Sequence, residues 1–335
     1  MATIIGISGP SSSGKTTLTR LLHRIFNSTS PTTSANSNAS DNANSNPLKT
    51  FIIHEDDFYF PDDRIPTTTL PSGKTIQDWD CAAAIDIHLL SASLTYVRTN
   101  GTLPPRLLSK EDQNEVSDSG VSEDVVLGLR RSVQERIAAR RGGQRTVAFL
   151  EGFLLYAPTG IAEAEAEGEG EGHPLRDVHG LIDVRLFLPA PYDQVKRRRE
   201  SRSGYVTIGP APTPTATTKE SAGEEERGEV DLEGEDDRPP QNFWTDPPGY
   251  VDDIVWPRYV QDHAWLLLPE GESGQGDATS CLGVDPQEVV KLVGQGVNVR
   301  TDAGVTVAPG QGDIPMVDIL QWAVEEVMKY LETSQ

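Results

Sequence analysis

The apolar run Thr3-Ile-Ile-Gly-Ile-Ser8 is followed directly by Gly9, Pro10, Ser11, Ser12, Ser13, Gly14, Lys15, Thr16 and Thr17. Leu18, Leu21, Leu22 and Ile25 then recur at helical spacing. Strand, glycine-rich loop and helix in this order form the context in which Gly-x4-Gly-Lys-Thr binds phosphate. Gly9 and Gly14 let the backbone turn its N–H groups inward onto phosphate oxygens, and the helix N-terminus adds partial positive charge. Gly9 to Thr17 are therefore expected to wrap the phosphates of ATP, with Lys15 bridging the β- and γ-phosphates and the Thr16 hydroxyl ligating Mg²⁺. A glycine-rich helix start without a ligand is the competing explanation.

Length alone would allow two domains in 335 residues, but tracts of biased composition take up much of the chain. A single folded domain spanning 1–335 is expected, carrying a low-complexity insertion at 27–47, an acidic one at 157–178 and a Pro/Thr-rich then acidic one at 207–241. None holds enough apolar surface to offset chain entropy, so all three read as solvated surface loops. They also carry much of the formal charge of −22: the five glutamates of 163–171 contribute −5 and 219–238 contributes −7. What remains is a mildly acidic chain without a basic surface for a nucleic-acid backbone.

Cys81 and Cys281 are too few and too isolated for a disulfide framework or a metal site. No apolar stretch approaches the roughly 18 residues of a membrane span, and no basic region with a cleavable apolar segment precedes the first strand. The cytosol is the expected compartment and no membrane partner is expected.

Four further apolar runs read as buried strands: 51–54, 146–150, 184–188 and either 297–300 or 305–307. Helical patterns cover 82–97, 123–140, 192–203, 256–268 and 316–331. The alternation predicts an α/β fold with a parallel sheet of about five strands, helices on both faces, and ligands beyond the carboxyl ends of the strands. The second strand leads into Glu55-Asp-Asp-Phe-Tyr59 and the third into Glu151-Gly-Phe153. Carboxylates beside a triphosphate repel it unless they hold Mg²⁺ or accept a proton from the attacking hydroxyl; capping of the next turn is the alternative. Successive residues leaving a strand alternate sides, so one of Asp56 and Asp57 is expected to face the loop.

The fourth strand leads into a run with Lys196, Arg197, Arg198, Arg199 and Arg202. On a helix Arg198 and Arg202 share a face, suited to clamping phosphates, whereas Arg199 points elsewhere. A solvated basic helix or a nuclear-import patch is the other reading, which leaves the nucleus open as a location.

Together these blocks, with Gln77-Asp-Trp-Asp80, Ser203-Gly-Tyr-Val206, Phe243-Trp-Thr-Asp-Pro-Pro-Gly-Tyr250 and Val255-Trp-Pro-Arg-Tyr259, resemble the nicotinamide riboside kinases, especially fungal ones, within the uridine-kinase-like P-loop kinases. The resemblance implies a P-loop fold, ATP as phosphate donor and Mg²⁺ as cofactor. It implies Asp56 as proton acceptor for the ribose 5′-hydroxyl and, with Thr16 and Glu151, as part of the metal site. It places Asp57, Phe58 and Tyr59 around the acceptor, Trp79 against a pyridine ring and Asp80 on the ribose hydroxyls. Arg198 and Arg202 then contact ATP, and Arg199 and Tyr205 lie near the nucleoside. A core tryptophan beside a helix-cap aspartate is the competing reading of Trp79 and Asp80.

The implied activity is ATP-dependent phosphorylation of nicotinamide riboside, and of nicotinic acid riboside, for NAD biosynthesis. The nearest rival is a uridine/cytidine or other small-metabolite kinase of the same fold. A nucleotide-switched regulator is a rival of another class, although an Asn-Lys-x-Asp guanine-reading motif is absent. A third is a phosphate-loop scaffold that binds partners through its acidic tracts.

Overall fold

The structure is a computed structural model and describes residues 1–27, 48–70, 72–105, 107, 109, 118–139, 145–158, 173–207, 209–210, 242–267, 290, 293 and 303–334. In chain order the first half comprises β1 (Ala2–Ser8), α1 (Lys15–Phe26), β2 (Leu48–His54), β3 (Thr67–Thr69), β4 (Thr75–Gln77), α2 (Ile87–Asn100) and α3 (Glu123–Ala138). The second half comprises β5 (Arg145–Gly152), α4 (Arg176–Leu181), β6 (Val184–Phe187), α5 (Tyr192–Glu200), β7 (Tyr205–Thr207), β8 (Asn242–Trp244), α6 (Trp256–Leu267), β9 (Thr306–Val307) and α7 (Met316–Thr333).

Among the described residues, five strands form one sheet in the order β2-β5-β1-β6-β9, each pair parallel. Alternation along β1 sends Ile4 to one face and Ile5 and Ile7 to the other. Ile5, Ile7, Val147 and Phe149 pack with α1, α3 and α7, whereas Ile4, Ala148, Leu150 and Phe187 pack with α2 and α6. On α1, Leu18, Leu22 and Ile25 are fully buried, each stabilising the fold by about 1.5–3 kcal/mol.

Register matters more to function than core composition. His54 lies opposite Glu151 across β2 and β5, and Ser8 opposite Gly152 across β1 and β5. The three strands end level, so the segments leaving them converge at one edge of the sheet.

The parallel sheet agrees with the sequence-based expectation, and its fifth strand is the 305–307 run; the 297–300 run lies outside the described residues, as does Cys281. Three helices are shorter than their apolar patterns predict, α3 ending at Ala138 rather than at 140. The first begins at Ile87 because the Asp86 carboxylate accepts from Leu89 N at 2.8 Å, and residues 82–84 form a separate 3-10 turn. Likewise α5 ends at Glu200, where the Ser201 hydroxyl bonds back to Arg198 O at 2.8 Å and Gly204 turns the chain with φ 144°. The hairpins β3–β4 and β7–β8 were not expected from the sequence.

Candidate active site

The loop between β1 and α1 is held in a shape that two glycines permit. Gly9 adopts φ 152°, and a Cβ there would lie 2.3 Å from Leu188 O; Gly14 adopts φ 98° with Met316 in the way. Inside the turn the Lys15 ammonium donates to Pro10 O at 2.9 Å. Burial lowers its pKa, opposed by Glu151 and Asp56.

The convergence of strand ends assembles a chain of polar contacts beside this loop. Thr16 Oγ1 donates to Glu151 Oε1 at 3.0 Å, and His54 Nδ1 meets the same oxygen at 2.7 Å. Burial pushes the Glu151 carboxyl up, but the His54 contact, Lys15 and Thr16 bring it below its ordinary value. Glu55 is fully buried and its Oε2 accepts from Phe153 N at 2.6 Å and Leu154 N at 3.0 Å, fixing the turn after β5. Its neighbours depart from the expected alternation. Residues Glu55–Phe58 form a 3-10 turn rather than extended chain, so exposed Asp56 and buried Asp57 line the same cavity, while Phe58 is buried in the core.

That cavity has a volume of about 120 Å³ and is partly open to solvent. Its floor is Ser11, Ser12, Gly14, Lys15, Thr16 and Thr17; Asp56, Asp57 and Glu151 stand at one side, and Tyr59, Trp79, Phe153, Tyr205 and Trp244 supply aromatic walls. Trp79 meets Tyr59 edge-on at 5.3 Å and Trp244 at 5.6 Å between centroids. Its backbone is pinned at both ends, N–H donating to the Tyr250 hydroxyl at 2.9 Å and C=O accepting from the Tyr59 hydroxyl at 3.0 Å.

Asp80, also lining the cavity, is clamped bidentately by Arg199, with Nη1 at 2.8 Å and Nη2 at 3.0 Å. Burial pushes the Asp80 carboxyl up and Arg199 pulls against it. A second carboxylate shares the guanidinium: Asp246 accepts from Arg199 Nε at 2.7 Å and from Trp244 Nε1 at 2.9 Å. Arg199 also lies over the rings of Tyr205 and Tyr250, at 5.2 and 5.5 Å. Sequence reasoning left Asp246 and Trp244 without roles, along with His54, Glu55 and the pair of buried Asp78 with partly exposed Arg258, 2.6 Å apart.

On the other side of the phosphate loop runs a groove lined by Ser12, Ser13, Gly14, Thr16 and Thr17, by Arg198 and Arg202, and by 308–309 and 314–316. Arg198 Nη1 donates to Ser12 O at 3.3 Å, and Arg202, just past the end of α5, lies over the Tyr205 ring. Arg198 and Arg202 both line this groove while buried Arg199 turns toward Asp80; the helix ends at Glu200, so Arg202 is placed by the turn after it rather than by helical spacing, and it lines the acceptor cavity as well. Thr16, Asp56 and Glu151 bring hard oxygen donors of the kind Mg²⁺ takes beside the loop. Among the described residues no group of three or more His, Cys, Asp or Glu side chains forms a metal cage, and a magnesium ion carried by nucleotide phosphates needs none. No described helix is long and apolar enough to cross a membrane.

No protein-family model matches the chain. It is 26% identical to nicotinamide riboside kinase of Schizosaccharomyces pombe over 98% of this chain and 97% of that protein. Identity to the Saccharomyces cerevisiae nicotinamide riboside kinase is 24%, over 97% of this chain and 95% of the relative. The Eremothecium gossypii nicotinamide riboside kinase is 26% identical over 79% and 77% of the two chains. The likeness to fungal nicotinamide riboside kinases, first carried by a handful of motifs, therefore extends along nearly the whole chain and sits on a parallel α/β sheet of the P-loop kinase type.

Proposed function

We propose that this chain transfers the γ-phosphoryl group of ATP to the ribose 5′-hydroxyl of nicotinamide riboside, giving the mononucleotide for NAD biosynthesis, with nicotinic acid riboside as a second acceptor. The observation that carries the reading is that one phosphate loop floors two cavities, one walled by aromatic rings and carboxylates and the other by arginines. Near full-length similarity to proteins named nicotinamide riboside kinase supports the choice of acceptor.

In this reading ATP lies in the arginine-lined groove, its base toward 308–316 and its phosphates on the N–H groups of the loop and on Lys15, Arg198 and Arg202. Thr16, Asp56 and Glu151 would hold Mg²⁺ directly or through water, and the bound ion would neutralise charge on the phosphates. Asp56, the exposed carboxylate in the acceptor cavity, takes the proton of the attacking hydroxyl, with Asp57 and Tyr59 beside it. Asp80 and Arg199 address the ribose hydroxyls, and Trp79 with Tyr205 bounds the ring. Phe58 acts from behind, through packing. The tracts at 27–47, 157–178 and 207–241 are insertions in one kinase domain, which works in the cytosol on small molecules.

A coupled assay with ATP and Mg²⁺, offering nicotinamide riboside, nicotinic acid riboside, uridine and cytidine separately, tests the reading. Turnover preferring the pyridine ribosides, and lost in Asp56→Ala, is expected. Preference for uridine or cytidine overturns the substrate, and acceptor-independent hydrolysis alone overturns the kinase reading.

A further inference from the structure

The acceptor cavity has an unequal charge balance at its aromatic end. Arg199 contributes one positive charge there, yet two carboxylates, Asp80 and Asp246, bind its guanidinium, leaving the trio one negative charge in excess. Asp56 and Asp57 line the same cavity and add two more negative charges, of which Arg202, over the Tyr205 ring, offsets one; Lys15 and Glu151 lie toward the phosphate loop. Trp244 belongs to this end alone: it lines the acceptor cavity and not the nucleotide groove, and its indole N–H is held by Asp246 at 2.9 Å. That bond fixes the ring against Trp79, and a carboxylate hydrogen-bonded to the indole N–H enriches the electron density of its π face.

Resting on the functional reading above, we propose that Asp246 and Trp244 determine specificity by selecting an acceptor whose heterocycle is cationic. Asp246 is the positioning residue: it orients the Arg199 fork and the Trp244 ring and supplies the excess negative charge. Trp244 supplies a second aromatic wall beside Trp79. An Arg199–Asp80 pair alone would be neutral and would hold the ribose of any riboside equally well; the second carboxylate adds preference for a positive ring.

The test uses two ligands of the same size that differ in charge, nicotinamide riboside and its neutral 1,4-dihydro form, measured by calorimetric binding to the full chain with ADP–Mg²⁺ present. Wild type is expected to bind the cation about tenfold more tightly. Asp246→Asn is expected to reduce this ratio to about two while Asp246→Glu restores it, and Trp244→Leu is expected to reduce it with the carboxylates intact. Equal binding of the two ligands by wild type overturns the proposal. So does an equal loss for both ligands in Asp246→Asn, the outcome of a purely structural role, or an unchanged ratio in Trp244→Leu. Turnover of nicotinamide riboside by wild type is recorded in parallel. Charge preference without turnover overturns the functional reading alone, whereas turnover without charge preference overturns this inference alone.

Discussion

Thr16 and Glu151 are 135 positions apart in sequence, and their side chains meet at 3.0 Å at the carboxyl edge of the sheet, with His54 on the same carboxylate oxygen. On the proposed reading, the hydroxyl that would ligate magnesium is thereby oriented by a carboxylate that a histidine in turn orients. Glu151→Gln is expected to raise the Mg²⁺ concentration for half-maximal rate about 10- to 100-fold, measured by metal titration at saturating ATP. An unchanged requirement would remove Glu151 from the metal site.

Asp56 has the accessibility a proton acceptor needs, unlike buried Asp57 one residue on. Asp56→Asn is expected to lower kcat by about 100- to 10,000-fold while ATP binding, followed by calorimetry, changes little. A comparable loss of kcat confined to Asp57→Asn would transfer the role to its neighbour.

The hairpin over the acceptor cavity hangs on one carboxylate. Asp62 accepts from the Thr207 hydroxyl at 2.8 Å, Gly209 N at 3.0 Å and the Asn242 amide at 3.1 Å, joining both strands to the turn that follows Asp56 and Tyr59. At roughly 1 kcal/mol net for each bond, Asp62→Ala is expected to loosen β7 and β8 and raise KM for the acceptor about fivefold to tenfold. KM for ATP should move by less than about twofold if the bonds act on the acceptor cavity alone. Equal changes in both would sink that assignment.

His263 on α6 is buried against Phe187 and Tyr259, and burial brings its pKa down from 6.5 to about 4. The unfolded chain therefore binds the proton first as pH falls. Stability present above pH 6.5 is lost on descending toward about 4, a contribution of about 3 kcal/mol. Urea unfolding at steps across this window should show a slope in wild type that shrinks in His263→Phe. Equal slopes would assign the acid sensitivity to other groups.

The phosphate loop was legible because its determinants are contiguous: glycines, lysine and threonine between an apolar strand and an amphipathic helix. Four of the five sheet strands were legible for a similar reason, each being a short apolar run, whereas the fifth stood open between the runs 297–300 and 305–307. Asp246 was not, since its partner Arg199 lies 47 positions away and only folding reveals that two carboxylates share one guanidinium. His54 reads in sequence as one polar residue ending an apolar strand, and its link to Glu151 depends on the register of β2 against β5. The β3–β4 hairpin pairs Thr67–Thr69 with Thr75–Gln77, segments with almost no apolar alternation to announce them. Extended-chain reasoning failed at Asp56 and Asp57 because the backbone tightens into a 3-10 turn as soon as β2 ends.

A single loop flooring both cavities has a consequence for inhibitor chemistry. A riboside joined through its 5′-oxygen and a run of phosphates to adenosine would lay its two ends in separate compartments across Ser12, Gly14, Thr16 and Thr17. Once one half is seated, the other meets its compartment at an effective concentration of the order of millimolar or above. Such a bisubstrate ligand gains avidity only if the phosphate bridge matches the span, so a series graded in bridge length would act as a molecular ruler for the distance between donor and acceptor.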